Sequence, residues 1–221
     1  MSKELQRSRV MLDFINACDE IILDEGLDTI TLRKIAQKAG YNSATLYNYF
    51  ENLDHLIFFS AMRFVKDYSL ALEAYIKDAK NAMDRFLMVW ECFNDYAFDK
   101  PEIYKAIFFP DLKREISDYV EEYYKLFPED LMRSDFVMTT MLLKTDITDR
   151  AMTIVNDCIN EGFIRKEDGE ALNELTLLIF EGVLKEVISG RISYENARNK
   201  TMDYFKPIVK GLLIKDYDFY Y

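Results

Sequence analysis

Between Thr31 and Tyr49 the chain sets out, among other residues, an arginine, hydroxyl residues, tyrosines and an asparagine with binding chemistry: Thr31, Arg33, Ser43, Thr45, Tyr47, Asn48 and Tyr49. Their shared chemistry is hydrogen bonding to anions and to flat polar edges. A guanidinium can hold guanine through two parallel bonds and a side-chain amide can do the same for adenine, while hydroxyls and phenols suit phosphate oxygens. Covalent chemistry finds no comparable set. The one histidine, His55, stands in the polar first turn of the next helix and reads as a surface residue. No Cys/His group has zinc spacing, and neither a glycine-rich phosphate loop nor a Gly-x-Ser-x-Gly turn occurs. No catalytic residue, metal or cofactor is therefore expected. Cys18, Cys92 and Cys158 are scattered among apolar helix positions and read as buried free thiols.

The elements that must position these groups follow from spacing. Ile35, Ala36 and Ala39 give residues 31–39 one apolar helical face. Thr31 suits an N-cap, because its hydroxyl can accept from the unpaired amides of the first turn. Gly40 stands where that helix must stop, in a left-handed backbone that only glycine takes at low cost. Leu46 and Tyr49 then return apolar atoms to the same core, and small Ala36 leaves room for two helices to cross steeply. Ser43, Ala44 and Thr45 open the second helix, with their amides pointing outward. The result is a helix-turn-helix, whose second helix can lie in the DNA major groove, although a plain helical hairpin satisfies the same spacing.

The first fifty-six residues resemble the N-terminal domain of the TetR family of ligand-responsive transcriptional regulators. The matching blocks are a helix over residues 8–23, Asp24-Glu25-Gly26-Leu27, residues 30–36, Ala39-Gly40, and Thr45-Leu46-Tyr47-Asn48-Tyr49-Phe50. The resemblance implies an all-α protein with an N-terminal three-helix helix-turn-helix domain (1–51) and a larger helical effector-binding and dimerisation domain (52–221). It implies a cytoplasmic homodimeric repressor, released from a palindromic double-stranded operator by a small hydrophobic or aromatic ligand. In the family, an arginine matching Arg33 reaches a base edge. Residues matching Tyr47 and Tyr49 touch the DNA backbone, and the threonine matching Thr31 lies beside phosphate. Lys3, Arg7 and Arg9 would form an arm along the groove. Two departures stand out: Leu53 replaces the family's usual phosphate-binding lysine, and Ala44 replaces a glycine or proline.

Charge complicates the picture. The chain carries a formal net charge of −11, and residues 1–56 hold six Lys/Arg against nine Asp/Glu. A nucleic-acid binder usually shows the opposite balance. The rival reading is a helical protein-interaction adaptor of the same fold that has lost specific DNA binding. Half the 221 residues are hydrophobic, enough for a sizeable core, and no run is long and apolar enough for a membrane span.

Beyond residue 52 the pattern predicts helices at 52–77, 81–98, 101–108, 110–127, 134–162, 167–189 and 193–214, with an aperiodic tail. Leu172, Leu175, Ile179, Val183 and Val187 form one apolar stripe, and Leu177, Leu184 and Ile188 form a second. Two stripes need two partners. A dimer interface of Leu172, Leu175, Ile179, Gly182, Val183, Phe205, Ile208 and Leu212 is expected, where the resembled family also dimerises. Phe86, Trp90, Phe93, Tyr96, Tyr104, Phe108, Tyr119, Tyr123, Met138 and Met141 fall on the helices that surround the effector cavity in that family. Glu91 and Asp95, one turn apart, would favour a cationic ligand if they face inward and are solvated surface if they face outward.

Overall fold

The computed structural model describes residues 3–110, 112–131 and 147–219. Among them are eleven α-helices, a short 3-10 turn at Leu27–Thr29, and no strand. The helices are α1 (Lys3–Glu25), α2 (Leu32–Ala39), α3 (Ser43–Leu46), α4 (Leu53–Ile76), α5 (Ala82–Asp99), α6 (Pro101–Phe108), α7 (Ile116–Leu126), α8 (Pro128–Leu131), α9 (Ile147–Asn160), α10 (Lys166–Ile188) and α11 (Tyr194–Leu212). Side-chain caps set several starts: Asn52 Oδ1 accepts from the His55 amide at 2.8 Å, and Asn81 Oδ1 accepts from that of Asp84 at 2.8 Å. No described helix is long and apolar enough to cross a membrane.

One helix start departs from the sequence pattern. Pro110 does not open a helix; α7 begins at Ile116. The intervening Arg114 reaches Glu51 at 2.6 Å and Glu122 at 3.1 Å, which ties this stretch down as a loop. Pro128 instead opens the one-turn α8, which the sequence pattern passes over. Residues 132–146, including Met138 and Met141, lie outside the described residues.

Compactness divides the chain into two units: Met1–Lys66 with Glu102–Arg133, and Asp67–Pro101 with Ser134–Tyr221. The division falls inside α4. The first unit is built around Phe14, Ile15, Ile35, Leu46, Phe50, Leu56, Phe58 and Phe59, all nearly inaccessible. His55 belongs to this core, which corrects its reading as a surface residue: it is 1% exposed. Its ring meets those of Phe50, Phe59 and Tyr119 edge-on at 5.2, 4.6 and 4.7 Å. The available signal was its helical spacing with Phe58, Phe59 and Met62.

In the second unit α5, α10 and α11 enclose an aromatic core. The Phe180 ring lies 5.9 Å from Trp90, 4.8 Å from Phe93 and 5.7 Å from Phe98, and Phe205 lies 5.0 Å from Trp90. On α10 the inward face runs through Leu172, Asn173, Thr176, Phe180, Val183 and Leu184, while Leu175 and Leu178 are 42% and 57% exposed. The apolar stripes read from the sequence mixed these two faces, because buried Thr176 and Asn173 do not count as apolar. Of the residues expected at a dimer interface, Leu172, Val183 and Phe205 are buried within the unit. Leu175 and Gly182 are exposed, and Ile179, Ile208 and Leu212 are half-buried. The tail is anchored as far as Tyr217, whose hydroxyl donates to Asp84 at 2.8 Å. Cys18, Cys92 and Cys158 are free and buried, and burial pushes each thiol up to about 12.

Candidate nucleic-acid interface

The two helices of the motif are held by backbone chemistry at each end. Thr31 caps α2, its hydroxyl accepting from the Lys34 amide at 3.3 Å. At the other end Gly40 adopts φ 79°, ψ 23°. Its amide donates to Gln37 at 3.3 Å, and that of Tyr41 donates to Ala36 at 2.9 Å. This pair of bonds closes a helix terminus that needs a left-handed residue. Tyr41 then pins the turn to α1, stacking on Phe14 at 5.1 Å and donating to Asp13 at 2.8 Å. Asn42 caps α3: its Oδ1 accepts from the amide of Thr45 at 3.0 Å and from its hydroxyl at 3.1 Å. The α3 helix is a single turn, prolonged by tight turns whose amides at Asn48 and Tyr49 bond back to Thr45 and Leu46 at 3.1 and 2.9 Å.

Leu46 and Phe50 anchor this segment in the core, and the residues between them point elsewhere. Tyr47 is 59% exposed. Asn48 and Ala44 are also exposed, as are Thr31 and Arg33 on α2, whereas Ser43 and Thr45 are half-buried. Tyr49 is half-buried against Phe14 at 6.5 Å, beneath the Arg7 guanidinium at 5.4 Å. Arg7 also donates to the carbonyls of Asn48 and Tyr49 at 2.9 and 3.3 Å. It therefore closes the end of the recognition segment rather than extending as a free arm. Tyr41 and Asn42 are positioning residues that sequence reasoning missed, and Arg7 is a positioning residue in place of the arm expected of it. Asn42 was findable, as a capping residue directly before a helix.

Cationic charge is distributed unequally over α2. Lys34 pairs with Glu25 at 2.8 Å, and Lys38 with Glu20 at 2.9 Å and Asp24 at 3.9 Å. Arg33 makes no ion pair among the described residues and stays exposed. Leu53 is half-buried at the first turn of α4, and its side chain offers no charge or donor to phosphate. Just below the motif, Glu51 accepts from the Tyr119 hydroxyl at 2.6 Å and pairs with Arg114, contacts that hold its carboxyl below the usual range. Burial pushes His55 down to about 4, so it is neutral at pH 7.

The aromatic residues expected to line an effector site divide between the two units. Phe86, Trp90, Phe93 and Tyr96 are in the second unit; Tyr104, Phe108, Tyr119 and Tyr123 are in the first. Tyr119 and Tyr123 spend their hydroxyls on Glu51 and Asp130 at 2.6 and 2.8 Å. Asp95 neither faces a cationic ligand nor stands free in solvent: it pairs with Arg198 at 2.6 Å and accepts from Tyr75 at 2.5 Å.

Comparison with known proteins agrees with this geometry. Residues 14–58 match the model of the bacterial regulatory proteins of the tetR family. No curated protein matches the chain in sequence. Among solved structures, RolR in complex with resorcinol has a TM-score of 0.59 at 15% identity, covering 95% of this chain and 90% of its own. A TetR-family regulator from Syntrophomonas wolfei has a TM-score of 0.58 at 15% identity, with 94% and 98% covered. The repressor FadR of Thermus thermophilus, in complex with lauroyl-CoA, has a TM-score of 0.57 at 11% identity, with 95% and 98% covered. The chain thus carries a segment, residues 14–58, that is similar to the tetR-family model, within an all-helical fold similar to those of these solved structures.

Proposed function

We propose that the protein is a homodimeric transcriptional repressor that binds a palindromic operator through residues 1–51 and releases it on binding a small hydrophobic or aromatic ligand. The observation that carries this reading is the uncovered face of α2 and α3, where Thr31, Arg33, Ala44, Tyr47 and Asn48 are exposed above a core closed by Leu46 and Phe50. Arg33 and Asn48 supply base-reading groups; Tyr47 and Thr31 supply phosphate contacts. Ser43, Thr45 and Tyr49 border the same surface, and the amides of Thr45 and Tyr49 hold the segment by donating to Asn42 and Leu46.

Dimerisation would use the outer faces of α10 and α11. Leu175, Leu178 and Tyr204 are exposed there, and a Cβ at Gly182 would meet nothing within 4 Å, so the isolated subunit does not require glycine at that position. Close approach of a partner helix accounts for it, since glycine costs about 1 kcal/mol in mid-helix. Two recognition segments one DNA turn apart then read a two-fold site. Ligand would act by favouring one tilt of α4, which runs unbroken from Leu53 to Ile76, and so change the separation of the two segments.

The adaptor reading draws support from the pairing of Lys34 and Lys38 with α1 carboxylates, which leaves little free cationic charge. Selection of genomic fragments followed by footprinting separates the two. A repressor protects a two-fold site, and Arg33→Ala or Tyr47→Ala removes protection while the melting temperature stays within a few degrees. Absence of any selected site, or full binding by both variants, sinks the regulator reading. Light scattering tests the dimer, which a strict monomer at micromolar concentration would exclude.

A further inference from the structure

Two polar atoms on one face of α5 are buried without a hydrogen-bond partner among the described residues: Trp90 Nε1 and Asn94 Oδ1. Trp90 is 4% exposed and Asn94 is 0% exposed. Four residues apart, they stand one above the other on the helix. The indole N–H can only donate. The Asn94 amide nitrogen faces the thioether of Met202 at 3.5 Å, an acceptor, which leaves its carbonyl oxygen as the unused acceptor. Both side chains meet α11 in register, Trp90 against Phe205 and Asn94 against Met202. The buried hydroxyls of Thr201 and Thr176 give their protons to their own helices, to Ala197 at 2.9 Å and Leu172 at 3.0 Å, so neither donates to Asn94 Oδ1.

A donor and an acceptor one turn apart, flanked by Phe93, Phe180 and Phe205, match a hydroxyl attached to an aromatic ring. The geometry points to a binding site for a neutral phenolic compound: its oxygen accepts from Trp90 Nε1–H, and its O–H donates to Asn94 Oδ1. Its ring displaces the Met202 thioether from the Asn94 amide and packs beside Phe205 and Phe180. Methionine is unbranched and flexible, and its sulfur contact with the Asn94 amide is weak. A buried water would find only the same two partners, the low end of what such waters make, and would leave the aromatic rings unused. An ionised ligand would bring a charge against this apolar aromatic lining and lose its hydration. This inference rests on the reading of the chain as ligand-responsive and names the ligand class that reading leaves open.

Trp90 is the single tryptophan of the chain, so its emission reports the site directly. The full-length protein, without DNA, is titrated with phenol and separately with toluene, which has the same ring and no hydroxyl. Phenol is expected to change Trp90 emission saturably, at concentrations at least tenfold below those of toluene. Asn94→Leu is expected to raise the phenol midpoint at least tenfold and leave that of toluene unchanged; Asn94→Ala serves where the leucine variant fails to fold. Equal responses to phenol and toluene, or wild-type phenol binding by the Asn94 variants, overturn the site and mean that the pair holds an ordered water only. Phenol discrimination in a protein that selects no DNA sustains the site while sinking the regulator reading. Selected DNA without phenol discrimination sinks the site alone.

Discussion

The motif around α2 and α3 and the buried face of α5 handle polar groups in opposite ways. In the motif, the groups with recognition chemistry stand outside, and buried neighbours fix the backbone beneath them. Leu46 and Phe50 are 0% and 1% exposed while Tyr47 between them is 59% exposed. Its caps consume every hydroxyl and amide they need: Thr31 on α2, Asn42 on α3, Arg7 at the far end. On α5, Trp90 Nε1 and Asn94 Oδ1 lie among aromatic rings with no partner among the described residues. A surface site spends its hydrogen bonds on shape, because water or DNA can satisfy the rest. A buried site leaves bonds unmade, and an unmade buried bond costs about 1–3 kcal/mol unless something fills it.

The largest effect that sharpens this contrast lies under the motif. Phe50→Ala removes a ring packed on Phe14, His55 and Phe59 and should cost about 3–5 kcal/mol in chemical denaturation. Tyr47→Ala, three residues away, should cost less than about 0.5 kcal/mol of stability, since surface truncations away from caps and cores do little. Similar losses from both would erase the distinction between a covered frame and an uncovered reading face.

His55 provides the next largest effect, through pH. Burial holds its folded value near 4, against an ordinary histidine value of 6.5. Between these values the unfolded chain takes up the extra proton. Stability is therefore complete above the unfolded value and falls as pH drops from about 6.5 toward 4. Asp19, which burial pushes up to about 6 despite its Arg63 partner, acts in the opposite direction over an overlapping range, because the folded form takes up its proton first. Only a difference measurement isolates the histidine. Between pH 7 and 4.5, His55→Phe should lose about 2 kcal/mol less stability than the natural chain. Equal losses would mean that His55 reaches water.

These two residues also mark what could be read from the chain. The motif was legible because its devices are local: a threonine cap, a glycine stop and apolar residues three and four apart. His55 was misread because a polar residue type hid its place on the apolar stripe with Phe58, Phe59 and Met62. The start of α7 was misread for a different reason. Arg114 reaches back to Glu51, 63 positions earlier in the chain, and no local pattern carries such a tie. Asn94 was passed over because an amide in an aromatic helix looks like a solvated position until its neighbours from α11 are known. Arg7 belongs with Arg114, since its partners are the carbonyls of Asn48 and Tyr49.

The smallest effects concern the lysines of α2, which should behave differently from their neighbour Arg33. Arg33 is exposed and carries no ion pair among the described residues, so its guanidinium is available to a base edge. Arg33→Ala should weaken operator binding by about 1–3 kcal/mol and relax sequence preference at one base position. Lys34 is already paired with Glu25 at 2.8 Å, and Lys38 with Glu20 at 2.9 Å. A lysine that keeps its carboxylate partner neutralises no phosphate, so Lys34→Ala should leave the salt dependence of binding almost unchanged, whereas a phosphate-binding lysine would lower the slope by about 0.9. Glu25→Gln is the converse experiment, because it frees Lys34 and should steepen the slope by up to about the same amount. Binding isotherms over a range of salt concentrations read all three variants. A slope that falls in Lys34→Ala would mean that DNA draws the lysine away from Glu25, and that the motif's cations act together rather than through Arg33.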